Sequence, residues 1–144
     1  MSTRTVKDIL EGQALNHVDI SRTVTDVASL MKKQGLGAMM VLDDKLLVGI
    51  FTERDALFRV AAEGLDPKTT MVEEVMTREP ATIAADKPFS DALAIMHAGQ
   101  FRHVPVLDGE TPIGMVSSRD AMGPELEQFM YTKILEDEAN DVLA

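Results

Sequence analysis

The apolar positions of this chain follow a helical period first and a strand period afterwards, and the sequence passes through this succession twice. In the first copy the apolar side chains of residues 24–31 recur three and four positions apart, and Gly35 follows as a stop signal. A short extended piece, Val18 to Ile20, precedes them. The pattern therefore predicts a strand followed by an amphipathic helix.

Two short apolar runs follow this first helix. Residues 38–42 and 46–51 are rich in aliphatic side chains, and the polar residues 43–45 separate them. Runs of this length on either side of a polar turn are typical of a β-hairpin. A second helix is expected after Thr52 and should run to about Gly64, which completes a β-α-β-β-α unit.

The second copy has the same order 65 residues further along the chain. It predicts a strand at 82–83, a helix at 89–98, strands at 104–107 and 112–116, and a helix after Ser117. Residues 18–56 align without a gap on residues 83–121, with nine identities over 39 positions. Because one such unit would be marginal alone, the two copies are expected to pack as one module around a pseudo-twofold axis.

The expected fold class is therefore α+β (of the α/β type), with two tandem units and an extra C-terminal helix. The sequence divides into repeat one (1–64), a linker (65–70), repeat two (71–123) and a C-terminal amphipathic helix with an acidic tail (124–144). Gly123-Pro124 is a typical helix start, and apolar residues follow it at helical spacing. This last helix either caps its own module or packs against another subunit.

Composition excludes several classes of function. The net charge of −10 argues against general binding to nucleic acid or to an anionic membrane. The chain has no cysteine, and its three histidines (His17, His97 and His103) are not at metal-ligand spacing, so no metal site is expected. No apolar stretch approaches the about 18 residues that a membrane helix needs, and the N-terminus lacks the apolar segment of a signal peptide. A cytoplasmic protein is expected.

Each hairpin leads into a hydroxyl residue and an acid three positions later: Thr52 with Asp55, and Ser117 with Asp120. One interpretation is a helix N-cap, in which the hydroxyl accepts a backbone N–H and the acid is favoured by the helix dipole. The other adds a ligand, because free N–H groups at a helix start attract phosphate and a fixed carboxylate can accept bonds from both hydroxyls of a ribose. The two interpretations are compatible.

Four basic side chains lie close to these motifs in sequence or register. Arg54 and Arg119 precede the two acids, and either pair with neighbouring acids in solvent or lie near a bound anion. Arg102 and His103 stand at the start of the second hairpin, where His103 is either a surface residue or a phosphate contact sensitive to pH.

The doubled unit, with its hairpins ending in Gly-apolar-apolar-Thr/Ser-x-x-Asp, resembles a cystathionine-β-synthase (CBS) domain pair, also called a Bateman module. Supporting marks are Val72-x-x-Val75-Met76-Thr77 before repeat two and the run from Arg102 to Asp108 at its hairpin. The resemblance covers about Val6 to Met122 and is to stand-alone, bacterial-type signalling members of the family.

The resemblance implies a ligand and a set of contacts. Modules of this family commonly bind adenosine-containing ligands, so Asp55 and Asp120 would each hold one ribose, with Thr52 and Ser117 beside them. Thr77 resembles the family's threonine that helps to hold the adenine or ribose. Repeat one has Gly37 and Ala38 where repeat two has Arg102 and His103, and the family's geometry would place these two cations near the phosphates of a pocket built on Asp120.

Three functions are compatible with these features. The first is a regulatory module that senses an adenine nucleotide or related adenosyl ligand (AMP, ATP, an NAD-like compound or S-adenosylmethionine) and transmits a conformational change to an unidentified protein partner. The second is a dimerising scaffold that binds no nucleotide. The third, an enzyme acting on the nucleotide, lacks support, because the chain has no nucleophile motif, no P-loop and no catalytic cofactor site. The family resemblance also implies a homodimer, with the C-terminal helix as a contact.

Overall fold

A computed structural model describes residues 4–13 and 16–121, and its elements follow the expected order. In chain order they are α1 (Val6–Leu10), β1 (His17–Asp19), α2 (Val24–Gln34), β2 (Ala38–Asp43), β3 (Leu46–Thr52), α3 (Glu53–Asp55), α4 (Val72–Val75), β4 (Thr77–Arg78), β5 (Ile83–Ala84), α5 (Phe89–Gly99), β6 (His103–Asp108) and β7 (Thr111–Ser117). The mixed α+β class is confirmed. The predicted C-terminal helix at 124–144 lies outside the described residues.

Each half of the chain forms a small sheet with the same topology. β1 lies parallel to β2, and β2 and β3 form an antiparallel hairpin, just as β5 lies parallel to β6 and β6 pairs with β7. Both hairpins shift register at the same place, between Val41 and Leu42 and between Val106 and Leu107. The repeat found in the sequence therefore extends to the hydrogen-bonding register of the backbone.

Local signals explain where the two long helices begin and end. The hydroxyl of Thr23 accepts the N–H of Asp26 at 3.2 Å and caps the start of α2. α2 ends at Gly35, whose φ of 68° lies in the left-handed region that glycine adopts without strain. α5 begins after Pro88 and ends at Gln100, which adopts the same left-handed conformation. The predicted spans of both helices are confirmed.

The helix after Thr52 is confirmed, but its winding is not that of a regular α-helix. It starts as the short α3 and continues through Ala56–Ala61 as a π-helix. The wider winding is visible in the hydrogen bond from the N–H of Ala62 to the carbonyl of Leu57, at 2.9 Å and five residues apart. π-Helical turns are rare and occur frequently at functional sites. In the second repeat, Ser117 is followed by a 3-10 turn, Ser118–Asp120.

Two separate apolar cores hold the helices to the sheets. The first combines buried side chains of α2, β2 and β3, and the second combines those of α5, β6 and β7. Their largest fully buried members are Phe51 in the first core and Phe89 in the second. Each half therefore buries its helix against one face of its sheet, as an amphipathic helix requires.

The short segment before each repeat packs on the other half of the module. Val72 and Val75 of α4 belong to the core of the first half, and β4 pairs with β3. Val6 of α1 belongs to the core of the second half. Residues 71–78 begin repeat two in sequence yet complete the first sheet, so each half of the module depends on the segment that begins the opposite repeat.

A third apolar cluster joins the two halves. It consists of Ala38 and Met40 of β2, Ile50 of β3 and Met115 of β7, all buried. Successive side chains of a strand point to opposite faces, so these residues lie on the sheet face away from the helices. The central strands are thus buried on both faces, which explains why their sequences are continuous apolar runs.

Gly49 and Gly114 are equivalent positions that should differ in their tolerance of a side chain. A Cβ on Gly49 would lie 2.9 Å from Cγ of Met76 and 3.0 Å from the carbonyl oxygen of Thr77. On Gly114 its three nearest neighbours would all be side-chain atoms of Leu10, the closest a methyl carbon at 2.8 Å. We therefore expect Gly49→Ala to lower the free energy of unfolding by about 1–3 kcal/mol and Gly114→Ala by less.

Urea denaturation of both glycine variants checks this expectation. Equal losses of stability would contradict the close packing of β4 against β3, because a backbone carbonyl cannot move aside as a leucine methyl can.

Candidate functional site

A cavity of about 520 Å³ lies between the two halves of the module. Its wall combines the end of β3 and the start of the following helix, the segment from Thr77 to Ala81, and residues 100–103 of the second repeat. Six of the nine predicted site residues line it: Thr52, Arg54, Asp55, Thr77, Arg102 and His103. The volume is in the range typical of small-molecule sites.

The carboxylate of Asp55 is the most tightly held polar group in this wall. Asp55 is only 6% exposed, and its Oδ2 accepts the N–H of Thr52 at 3.1 Å. The hydroxyl of Thr77 lies 3.3 Å from Oδ1 and 3.4 Å from Oδ2. Because a buried charge is stable only where donors surround it, these contacts fix the position of the carboxylate at the edge of the cavity.

Arg59 is a third partner of Asp55 that the sequence analysis did not select. Its Nε lies 3.5 Å from Oδ1 of Asp55, and its Nη1 donates to the carbonyl of Met76 at 3.0 Å. Arg59 also lines the cavity. A basic residue four positions after an acid on a helix was the available signal, although such pairs are common on surface helices.

The placement of Arg102 and His103 adds a cavity that was not expected from the sequence. Both were expected in a pocket built on Asp120, but they line the cavity that contains Asp55. The two hairpins start next to each other: a Cβ on Gly37 would lie 3.2 Å from Oε1 of Glu53 and 3.4 Å from Cε1 of His103. The start of β6 therefore contributes its basic residues to the cavity of the opposite repeat.

His103 is half-buried, and its surroundings favour the neutral imidazole. Desolvation lowers the pKa of His103 below its usual value of 6.5, and the charges of Arg102 and Arg119 act in the same direction. Glu53 and Asp120 oppose this effect by favouring the protonated ring, but burial dominates. A neutral histidine beside arginines can accept a proton when an anion arrives.

Two aromatic side chains complete the wall. Phe58 and Phe101 line the cavity and are 53% and 37% exposed. The guanidinium carbon of Arg54 lies 5.4 Å from the ring centroid of Phe58, at cation–π distance. Arg54 thus stacks on an aromatic ring at the cavity, an arrangement the sequence analysis did not consider.

The remaining predicted residues, Ser117, Arg119 and Asp120, do not line this cavity. They lie at the end of β7 and in the turn after it, where the N–H of Ser117 donates to Oδ2 of Asp120 at 2.8 Å. A second cavity, of about 270 Å³, is lined by other residues, including Asn16 and Lys45. Within the described residues, one cavity therefore brings together six of the nine predicted site residues but not the three of the second motif.

The capping interpretation is confirmed for both motifs. Thr52 and Asp55 exchange two hydrogen bonds, from the N–H of Asp55 to the hydroxyl of Thr52 and from the N–H of Thr52 to the carboxylate. In the second motif the hydroxyl of Ser117 accepts the N–H of Arg119 at 3.2 Å. Only the first of these two caps opens onto the large cavity.

Residues 4–13 and 16–121 contain neither a metal-binding cluster nor a membrane-spanning helix. In these residues no three His, Cys, Asp or Glu side chains form a group that could hold a metal ion. The helices of the same residues are too short or too polar to cross a membrane.

Comparison with known proteins places this architecture in a family. The family model described as "CBS domain" matches residues 5–62 and 72–123. The CBS domain-containing protein YhcV of Bacillus subtilis is 34% identical over 115 residues, which cover 80% of this chain and 81% of that protein. The chain spans only 16% to 21% of the length of CBS domain-containing relatives from Arabidopsis thaliana.

Solved structures of CBS domain proteins have the same fold as this chain. A proposed signal-transduction protein with CBS domains from Burkholderia ambifaria has a TM-score of 0.76 at 34% identity, covering 81% of this chain and 90% of that one. The CBS domain protein PAE2072 from Pyrobaculum aerophilum, complexed with AMP, has a TM-score of 0.80 at 22% identity, covering 89% and 99%. The second likeness is one of fold. With both repeats matched by the family model, this chain belongs to the CBS domain family as a CBS domain pair.

Proposed function

We propose that this CBS domain pair is a regulatory module that binds an adenine nucleotide in the cavity beside Asp55 and transmits the bound state to a protein partner. The observation that carries the proposal is the Asp55 carboxylate, which is fixed by donors and borders a cavity of about 520 Å³. A carboxylate that is held in one position can accept hydrogen bonds from the hydroxyls of a ribose, as in dinucleotide-binding folds.

The rest of the wall matches the other parts of a nucleotide. Ile50, Pro80 and Ala81 offer apolar surface to a base. Arg102 and His103, from the opposite repeat, offer donors to a phosphate, and charged donors bind phosphate oxygens strongly. A ligand that contacts both groups would join the two repeats, so its binding would bias their relative arrangement. That coupling is the proposed signal.

We assign no catalytic step to this site. The Asp55 carboxylate is held as an acceptor by Thr52, Thr77 and Arg59, an arrangement that suits binding better than proton transfer. AMP bound to the Pyrobaculum aerophilum protein supplies the first ligand to test. The homodimer, the contact through residues 124–144, the cytoplasmic location and the regulated partner stay predictions.

AMP binding should depend on Asp55 more than on its counterpart in repeat two. Asp55→Asn keeps the shape of the capping side chain but removes its charge, so we expect it to weaken AMP binding by about 1–3 kcal/mol. Asp120→Asn is the matched control, because Asp120 does not line the cavity. Isothermal titration calorimetry of the wild type and both variants, with GMP for comparison, measures the difference.

Each outcome of this titration has a clear consequence. Equal losses in the two variants would place the ligand elsewhere. If the wild type binds no adenine nucleotide, the scaffold function replaces the sensing function. Thermal melting of the same variants separates loss of binding from loss of folding.

AMP binding should also take up a proton at His103. The depressed pKa keeps His103 neutral at pH 7 in the free protein, and an adjacent phosphate would raise that pKa by stabilising the imidazolium. Affinity for AMP should therefore rise as the pH falls from about 8 towards 6.5, before the phosphate itself takes up a proton near pH 6. Calorimetry at pH 7 in buffers of different ionisation enthalpy counts the protons taken up. Proton uptake that persists unchanged in His103→Gln would exclude His103 as its source.

A further inference from the structure

The Asp55 carboxylate already uses about half of its capacity to accept hydrogen bonds. A carboxylate offers about four acceptor positions on its two oxygens. The N–H of Thr52 takes one on Oδ2, and the single hydroxyl hydrogen of Thr77 takes another, closer to Oδ1. Arg59 Nε forms an ion pair with Oδ1 at 3.5 Å. A ribose that donates one hydroxyl to each oxygen therefore approaches Oδ1, the oxygen that Arg59 already contacts.

The three donors differ in how readily they can leave. The N–H of Thr52 belongs to the backbone and to the helix cap, so it is fixed. The hydroxyl of Thr77 sits on β4, which is paired with β3. The Arg59 side chain is 51% exposed and makes the longest of the three contacts, while the side chain of Asp55 is only 8% exposed. Water can solvate a displaced guanidinium here, so Arg59 is the donor most easily released.

We propose that Arg59 competes with the ligand for Asp55 and thereby sets how strongly the site prefers ribose over deoxyribose; this inference rests on the proposed function. A ribose with both hydroxyls uses Oδ1 as well as Oδ2 and displaces Arg59 from Oδ1. A 2′-deoxyribose donates one bond, which Oδ2 can accept while Arg59 stays in place. Arg59 therefore lowers the advantage of the 2′-hydroxyl, and the ligand class that releases Arg59 is one with a vicinal diol.

Release of Arg59 also has a structural consequence. The same planar guanidinium that contacts Asp55 donates through Nη1 to the carbonyl of Met76, directly before β4. When the ribose moves the guanidinium, this link between the π-helical segment 56–61 and β4 is strained or lost. Ligands with the diol thus loosen a connection that deoxy ligands leave in place.

The test compares AMP with 2′-deoxy-AMP on the full-length protein by isothermal titration calorimetry. Removing the positive charge of Arg59 weakens the binding of both phosphate ligands to a similar extent. This general effect cancels when the two affinities are compared as a ratio. In Arg59→Met the preference for AMP should rise about two- to five-fold over the wild type, the range expected when a half-exposed ion pair no longer competes. Arg59→Lys, which keeps the charge, should lie between the two.

Arg78→Met is the matched control, because Arg78 also pairs with an acid (Glu73, at 3.8 Å) but does not line the cavity. Its preference should equal that of the wild type. An unchanged or smaller preference in Arg59→Met would overturn the competition and point to Thr77 as the donor that leaves. If the wild type binds AMP and only this ratio fails, the proposed function stands; if it binds neither nucleotide, both proposals fall.

Discussion

The contact that joins the two repeats determines where every candidate site residue lies. Ala38, Met40, Ile50 and Met115 form one buried cluster between the hairpins. Burying apolar surface on both faces of β2 and β3 holds the two sheets against each other. That contact brings the start of each hairpin next to the start of the other, so His103 of repeat two lies beside Glu53 of repeat one. A site shared by both repeats follows directly from this packing.

The burial of the Asp55 carboxylate is the second constraint, and it depends on the contact between the two repeats. Asp55 is stable in its position because donors arrive from β3, from β4 and from the π-helical segment. β4 reaches it because residues 71–78 pack on the first half rather than on the repeat that they begin. The position of the Asp55 carboxylate therefore depends on the packing of residues 71–78 against the first half. A ligand that changes the contacts of this carboxylate also acts on that packing.

The periodic part of the structure could be predicted from the sequence, because it depends on local patterns. Apolar spacing located α2 and α5, and Gly35 marked the end of the first of them. The Thr52–Asp55 motif was found because its spacing is that of a cap.

What could not be predicted depends on contacts between distant segments. Val72 and Val75 were marks of the family resemblance, but the sequence pattern does not show that they pack on the first half. Arg102 and His103 were assigned to Asp120 because the assignment followed repeat membership, whereas the packing of the two repeats also brings them into the cavity that contains Asp55. Arg59 was passed over because its spacing from Asp55 is equally common in helices without a site.

A crystal structure of this protein with AMP tests the central claim most directly, namely that one cavity between the repeats holds the nucleotide on Asp55. The account predicts AMP in the cavity of about 520 Å³, with its ribose hydroxyls on the Asp55 carboxylate and its phosphate beside Arg102 and His103. AMP bound against Asp120 with that cavity empty, or no bound nucleotide at saturating concentration, would contradict it.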